Sequence, residues 1–339
     1  MQEILIRKEE SGQRLDKFLR RFLPGAVPGF LYKMLRKKNI LLDGKKAAGS
    51  EILQEGNRIR IYFSDDTIRG FQSSSVQDSP VNALFLADDS VIYRSSSLLL
   101  VNKPAGLLTQ KAGKNDISLT EMTRSWLEKN GCRTEEDRLL YEPGPANRLD
   151  RNTSGLVVIP LCLASAQQIS EMFRARTIHK RYLVLTAGSY SGPARRTAWC
   201  IRDPKTRKTD IFLHEQKGAD RIETICEPLS VQGGRSLLLV TLVTGKTHQI
   251  RSHLQALGFP VIGDPKYGNF LTDRVAGNKR IHSDTAPRSS LKRQFLHAWQ
   301  MEFPSCAGML SDVSGRVFTA PLPEDLKNEL FACGFDIPG

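Results

Sequence analysis

Along the first sixty residues the apolar positions change period. Leu15, Phe18, Leu19 and Phe22 recur three and four apart, which predicts a helix over Arg14–Phe22 with Ser11 or Gly12 near its start. Pro24-Gly25 breaks that helix, and Pro28 is placed to open a second, because a first-turn proline gives up no helical hydrogen bond. Phe30, Leu31, Met34 and Leu35 would form its apolar face, leaving Lys33, Arg36, Lys37 and Lys38 on the other side. Ile40-Leu41-Leu42 then reads as a short strand running into the hairpin signal Asp43-Gly44. Ile59, Ile61 and Phe63 alternate with Arg58, Arg60 and Tyr62, the signature of a half-buried strand. Two small helices and a few strands make a module near the lower limit for independent folding.

From Asp65 to about Asp89 no period is sustained, and Ser73-Ser74-Ser75 and Ser79-Pro80 read as a linker. Beyond it strands dominate: Val91-Ile92-Tyr93, Leu98–Val101, Gly155–Pro160, Arg181–Thr186, Ile222–Pro228 and Ser236–Val243. Helices are expected over Ser165–Thr177 and Ile250–Leu257, the latter ended by Gly258. Strands in hairpin-like succession predict an α+β fold, a mixed, largely antiparallel sheet with packed helices. The expected layout is residues 1–66 as a small basic domain, 67–89 as linker and 90–330 as the main domain.

Composition changes the picture mainly through charge. The 339 residues are 40% hydrophobic and 25% charged, an ordinary globular balance. The longest apolar stretches, such as Gly155–Ala166, fall short of the roughly 18 residues that a membrane span needs. Met1–Arg7 carries an early acid and no long apolar run, unlike a signal peptide. Six scattered cysteines, with no Cys-x-x-Cys pair, argue against a zinc ribbon or a disulfide scaffold and suit a reducing cytoplasm. The net charge of +13 suits a polyanionic partner, since neutralising phosphates releases counterions. Residues 7–60 hold 14 basic and six acidic side chains, a local net of +8. Two further basic segments, Arg195–Arg221 and Arg274–Arg293, either bind RNA or are exposed loops, with loops the favoured reading.

Three segments are dense in residues that do not simply fill a core. Asn147-Arg148-Leu149-Asp150-Arg151-Asn152-Thr153-Ser154-Gly155 places a carboxylate between two arginines in a polar loop entering a buried strand. Lys180-Arg181-Tyr182 heads another strand. Thr244-Gly245-Lys246-Thr247-His248-Gln249-Ile250-Arg251 leads to Gly263-Asp264-Pro265-Lys266-Tyr267-Gly268. With Asn102-Lys103-Pro104-Ala105-Gly106 before them and Leu296-His297-Ala298 after, these motifs resemble, in order and spacing, the ribosomal large-subunit (RluA-type) pseudouridine synthase family. The likeness covers about Val91–Pro304, and the basic module resembles the αL RNA-binding domain of ribosomal protein S-four.

The resemblance implies an aspartate-dependent enzyme acting on structured RNA without a cofactor. Asp150 matches the catalytic aspartate; a carboxylate can act as nucleophile or steady positive charge on the sugar while the N1–C1′ bond breaks and the base rejoins through C5. Arg251 matches the arginine paired with it, a cation that favours an ionised carboxylate. Tyr182 matches a tyrosine against the extruded base, where its hydroxyl can assist proton removal; packing on the core is the competing role. Arg148 is equally suited to filling the gap left by the flipped uridine and to contacting a phosphate. Lys180 and Lys246 are expected as phosphate or structural contacts rather than chemical groups, and on the basic module Arg14, Lys17, Lys33, Arg36, Lys37 and Lys38 are the expected RNA contacts. The family most often has histidine where this chain has Asn147, so proton transfer at that position is in doubt. His248 and His253 lie five apart rather than the four of a helical zinc pair, so no metal is expected. rRNA is favoured over tRNA, with a cytoplasmic monomer expected. The rival reading is a non-catalytic RNA-binding assembly factor, which would not need Asp150, Tyr182 and Arg251 together. A glycosidase would need a second acid in the Asp150 motif.

Overall fold

Alternating and helical apolar patterns sort the chain into two sets of elements, each with its own core. The computed structural model describes residues 1–73, 86–113, 115–132, 140–206, 208–268 and 289–338. In the first set, β1 (Gln2–Leu5), β2 (Ile40–Leu42), β3 (Lys45–Lys46) and β4 (Arg58–Ile61) form a sheet in the order β1-β4-β2-β3. Asp43 and Gly44, with φ of 50° and 73°, make the β2–β3 turn. Helices α1 (Leu15–Phe22) and α2 (Pro28–Arg36) bury Phe18, Leu19, Phe22, Leu31 and Leu35 against Ile59 and Ile61 of β4.

The expected linker starts differently. Asp65–Ser73 is a helix, α3, opened by the two acids Asp65 and Asp66, which suit its N-terminal dipole. Ile68 is buried, and the Phe71 ring lies 5.2 Å from that of Phe30 on α2, so the basic module runs on to Ser73. Residues 74–85 lie outside the described residues, and Leu86 already belongs to the second core.

That second core surrounds a sheet ordered β10-β9-β11-β12-β8-β13-β7-β6-β5. Its strands are β5 (Val91–Arg94), β6 (Leu98–Lys103), β7 (Ser154–Pro160), β8 (His179–Ala187), β9 (Arg195–Arg202), β10 (Thr209–Phe212), β11 (Asp220–Gln232), β12 (Arg235–Leu242) and β13 (Leu296–Glu302), with β14 (Val317–Thr319) beside β13. Every pairing is antiparallel except β13 with β7, the mixed, largely antiparallel α+β arrangement that the strand succession predicts. Alternation on β6 and β7 sends Leu99, Val101, Val157 and Ile159 to one face and Leu98, Leu100, Leu156 and Val158 to the other. Both faces are covered, which is why these strands read as continuous apolar runs. Helices α4 (Leu119–Lys129), α6 (Gln249–Ala256) and α7 (Glu324–Ala332) pack on the first face; α5 (Leu163–Ala175) buries Ile169 on the second.

The stretch Arg195–Arg221 is not loop, as its charge suggested. It holds the β9–β10 hairpin at the sheet edge, with Ala198 and Cys200 turned into a small cluster with Ile222. Of the other basic segment, residues 274–288 lie outside the described residues, and Arg293 is buried in an ion pair with Asp325 at 2.6 Å. Among the described residues no helix is long and apolar enough to cross a membrane.

Candidate active site

The loop carrying Asp150 sits where the sheet splits. β7 pairs with β13 only through Ser154 and Gly155. Gly155 has φ +117°, and a Cβ there would lie 2.3 Å from the Ala298 carbonyl oxygen, so only glycine permits this close crossing. Beyond it the strands part, and the edge of β7 is taken over by the loop. Ala146 N–H donates to Val158 O at 2.8 Å, the Asn147 amide nitrogen donates to Leu156 O at 3.2 Å, and Val158 N–H donates to Asn147 Oδ1 at 2.8 Å. Both ends of the Asn147 amide are thus spent on backbone. Asn147, where the resemblance leads one to expect histidine, is a clamp.

The rest of the loop is pinned group by group. Thr109 Oγ1 donates to Leu149 O at 2.9 Å and accepts from Leu149 N–H at 3.1 Å. Arg151 O accepts from Gly106 N–H at 2.9 Å and from Lys103 Nζ at 3.1 Å. Lys103 is fully buried, with Pro104 O and Leu107 O each 2.8 Å from Nζ. Burial pulls its ammonium down to about 7, against the nearby Asp150 charge. Arg293 Nη1 holds Asn152 O at 3.2 Å and Gln294 holds Thr153 Oγ1 at 3.1 Å. His297, buried between Ser154 and Ala320, donates from Nε2 to Ala320 O at 3.2 Å, so its Nδ1 accepts from Ser154 Oγ at 2.9 Å. Desolvation pushes that imidazole down to about 4, which keeps it neutral. A loop with so many fixed points is preorganised.

At its centre Asp150 Oδ2 accepts from Arg251 Nη1 at 2.8 Å. Arg251 projects from α6, whose first turn is shaped by Gln249: its Oε1 accepts from Thr244 Oγ1 and Lys246 N–H, and its Nε2 donates to Glu223 O and Thr224 Oγ1. The far side of the guanidinium is gripped by Asp264, with Nε to Oδ2 at 2.6 Å and Nη2 to Oδ1 at 2.8 Å. Asp264 Oδ1 also accepts the Lys266 and Tyr267 amides, at 2.8 and 3.0 Å. Gly263, at φ +73°, allows this turn: a Cβ there would lie 2.2 Å from Arg293 O. Side-chain exposure falls from 26% for Asp150 to 7% for Arg251 and 0% for Asp264, so one open carboxylate rests on a buried ion-pair support. Burial opposes charge on both buried partners, yet their mutual hydrogen bonds and attraction win: Asp264 is held below the usual carboxylate range and Arg251 above the usual arginine value. Asp264, enclosed by four donors, is no second acid for substrate.

Among the described residues Asp150 Oδ1 has no hydrogen-bond partner. Tyr182 lies on β8 opposite Ala298 and Val240, 5% exposed. Burial, then the Asp150 charge, raises its phenol well above the ordinary range, so a phenolate base is disfavoured there. Arg148 is exposed and has no partner among the described residues. The other expected RNA contacts divide. Lys17, Lys33, Arg36, Lys37 and Lys38 are exposed, without a carboxylate partner among the described residues. Arg14 is engaged with Asp16 at 3.0 Å, Lys246 with Asp220 at 2.8 Å, and Lys180, half-buried, lies over the Phe173 ring at 5.1 Å. No three His, Cys, Asp or Glu side chains gather among the described residues as a metal site requires. Sequence reasoning gave no role to Asp264, Lys103 or Tyr267, although all three stand in its motifs; a buried acid in a Gly-Asp-Pro turn following a functional arginine was the available signal.

A model of the family described as RNA pseudouridylate synthase matches residues 97–256. Ribosomal large subunit pseudouridine synthase D of Xanthomonas campestris pv. campestris is 28% identical over 337 residues, spanning 98% of this chain and 92% of the relative. Ribosomal large subunit pseudouridine synthase C of Rickettsia felis is 30% identical over 261 residues, 76% of this chain and 82% of the relative. The solved structure of human RNA pseudouridylate synthase domain containing 4 has the same fold, with a TM-score of 0.55 at 21% identity over 74% of this chain and 95% of that one.

Proposed function

This chain belongs to the RNA pseudouridylate synthase family, and we propose that Asp150 is the carboxylate with which it isomerises a uridine of large-subunit rRNA. The carrying observation is the Asp150 carboxylate itself, clamped through Oδ2 by Arg251 while Oδ1 has no hydrogen-bond partner among the described residues. In the reaction the N1–C1′ bond breaks, C1′ bonds to C5, the C5 proton leaves and N1 gains one. A fixed, ionised carboxylate can add to C1′ or steady the cationic sugar at the first step. Oδ1 is the oxygen available for either role.

The uridine must leave its stack to reach such a loop, and the exposure of Arg148, two residues before Asp150, supports its filling the gap. Tyr182, held as a neutral phenol, serves as a stacking surface for the extruded base rather than as its base catalyst. The exposed cations of α2 supply sequence-independent attraction to phosphates, in keeping with an αL-type RNA-binding module. The large ribosomal subunit in the relatives' names supports rRNA as the substrate, and with it a cytoplasmic place of action.

Purified protein incubated with unmodified large-subunit rRNA transcribed in vitro should yield pseudouridine at a discrete site. Asp150→Asn should abolish turnover while RNA affinity stays near that of the wild type. Wild-type turnover by that variant would refute the assignment.

A further inference from the structure

We propose that His248 is a positioning residue for Asp150, its Nε2–H turned to Oδ2 in a tautomer fixed by Tyr267. The inference rests on the reading of Asp150 as the reacting carboxylate. Its tautomer component stands independently of that reading.

His248 precedes α6 with φ +57°, in the left-handed region that histidine and asparagine enter more readily than most residues. Its Nδ1 lies 3.0 Å from the Tyr267 hydroxyl. That hydroxyl oxygen already accepts the Thr209 backbone N–H at 2.9 Å, where β10 meets the site. A backbone N–H can only donate, and of the two side chains that meet the phenol, the Thr209 hydroxyl is already engaged as a donor to Thr247 O at 3.1 Å, so Nδ1 is the acceptor at good hydrogen-bond distance for the phenol proton. The chain of bonds therefore runs Thr209 N–H to Tyr267 O–H to His248 Nδ1, and the ring proton sits on Nε2.

Nε2 is 3.9 Å from Asp150 Oδ2. That is too long for a hydrogen bond, but the sign of the interaction is set by the tautomer. An N–H facing a carboxylate oxygen attracts it, whereas a lone pair would repel it. Tyr267 governs the other neighbour of Oδ2 too, because the Arg251 guanidinium lies over its ring, 5.2 Å from the centroid. One tyrosine, 2% exposed, thereby orients both groups that hold Oδ2. Desolvation, opposed by Asp150 and aided by Arg251 and Lys266, lowers the His248 pKa and keeps the ring neutral, as a fixed tautomer requires. Arg251 by a hydrogen bond and His248 by attraction at 3.9 Å both favour the orientation in which Oδ2 faces them and Oδ1 has no hydrogen-bond partner among the described residues.

The test is nitrogen-detected NMR of the full-length protein with labelled histidine, together with kinetics on rRNA transcript. Wild-type His248 should show the Nε2–H tautomer, and Tyr267→Phe should shift it towards Nδ1–H. Both Tyr267→Phe and His248→Asn, the latter chosen because asparagine tolerates the same backbone, should lower kcat by roughly tenfold or more with RNA affinity retained. The double variant should be no slower than the slower single one, because both act through one link. An Nδ1–H tautomer in the wild type, unchanged kcat in folded Tyr267→Phe, or multiplicative losses in the double variant would overturn the proposal. An inactive Asp150→Asn beside a wrong tautomer would sink this inference alone, and an active Asp150→Asn beside the right tautomer would sink the functional reading.

Discussion

Replacing Asp264 by asparagine tests how the site is supported. Every contact the carboxylate makes is with a donor: Arg251 Nε on Oδ2, and Arg251 Nη2, Lys266 N–H and Tyr267 N–H on Oδ1. The oxygen of asparagine would be kept for the three donors, which leaves its NH2 facing Arg251 Nε, donor against donor. Removing one partner of a buried ion pair costs about 3–5 kcal/mol because the other charge is stranded. At roughly 2–4 °C per kcal/mol for a domain of this size, 3 kcal/mol corresponds to a fall in Tm of roughly 6–12 °C. The loss should depend on pH. Asp264 is held below its ordinary value, so its contribution is complete above the unfolded carboxylate value of about 4 and disappears as pH falls through the folded one. The gap between wild type and variant should therefore be widest near neutrality and close in acid. Activity should fall as well, since an Arg251 freed from Asp264 can turn its fork onto both oxygens of Asp150 and occupy Oδ1. Calorimetry over a pH series and single-turnover kinetics would decide it. A Tm gap that is absent, or that does not narrow in acid, would refute the reasoning.

Two further outcomes follow from the same contacts. Lys103→Met would strand the carbonyls of Pro104 and Leu107 and leave that of Arg151 with the Gly106 N–H alone, so urea denaturation should show a loss of at least about 2 kcal/mol by the usual penalty for unpaired buried acceptors, with kcat falling as the Asp150 loop loosens. Replacing Lys33, Arg36, Lys37 and Lys38 together by glutamine should flatten the dependence of log affinity on log salt by roughly 3, if each contacts one phosphate, while kcat at saturating RNA is unchanged; an unaltered slope would remove α2 from the RNA interface.

What was legible in the sequence was what neighbours in the chain decide. Pro28 opens α2, Asp43-Gly44 turns the first hairpin, and Ile59 and Ile61 point inward as their alternation requires. The helix Asp65–Ser73 was not legible because its inward positions are few, Ile68 and Phe71, and gain meaning only when Phe30 and Phe63 supply the other wall. β9 hid for a related reason. One strand in from the sheet edge, between β10 and β11, it is half solvated, so Arg195, Arg196 and Arg202 outnumber the inward Ala198 and Cys200, and a local charge count reads it as loop. β1 is short, and its outward Glu3 is explained only by Arg58 and Arg60 on the strand beside it.

The candidate site divides along the same line. Asp150, Tyr182 and Arg251 could be named from motifs, but what each can do depends on contacts that no spacing encodes. Tyr182 seemed suited to moving a proton until its burial was known; a phenol 5% exposed beside a carboxylate keeps its proton. Asn147 looked like the loss of a titratable ring, whereas its amide replaces a strand neighbour at the point where β7 leaves β13. Arg251 looked like one half of an ion pair and is the middle of three, and its middle place gives the site its asymmetry. With two carboxylates sharing one guanidinium, the buried one takes the paired Nε and Nη2, and the exposed one is left a single Nη1 and one uncommitted oxygen. A simple Asp150–Arg251 pair would close in the bidentate geometry that arginine prefers and leave neither oxygen free. The reactivity we propose for Asp150 thus depends on a second, fully buried aspartate, Asp264.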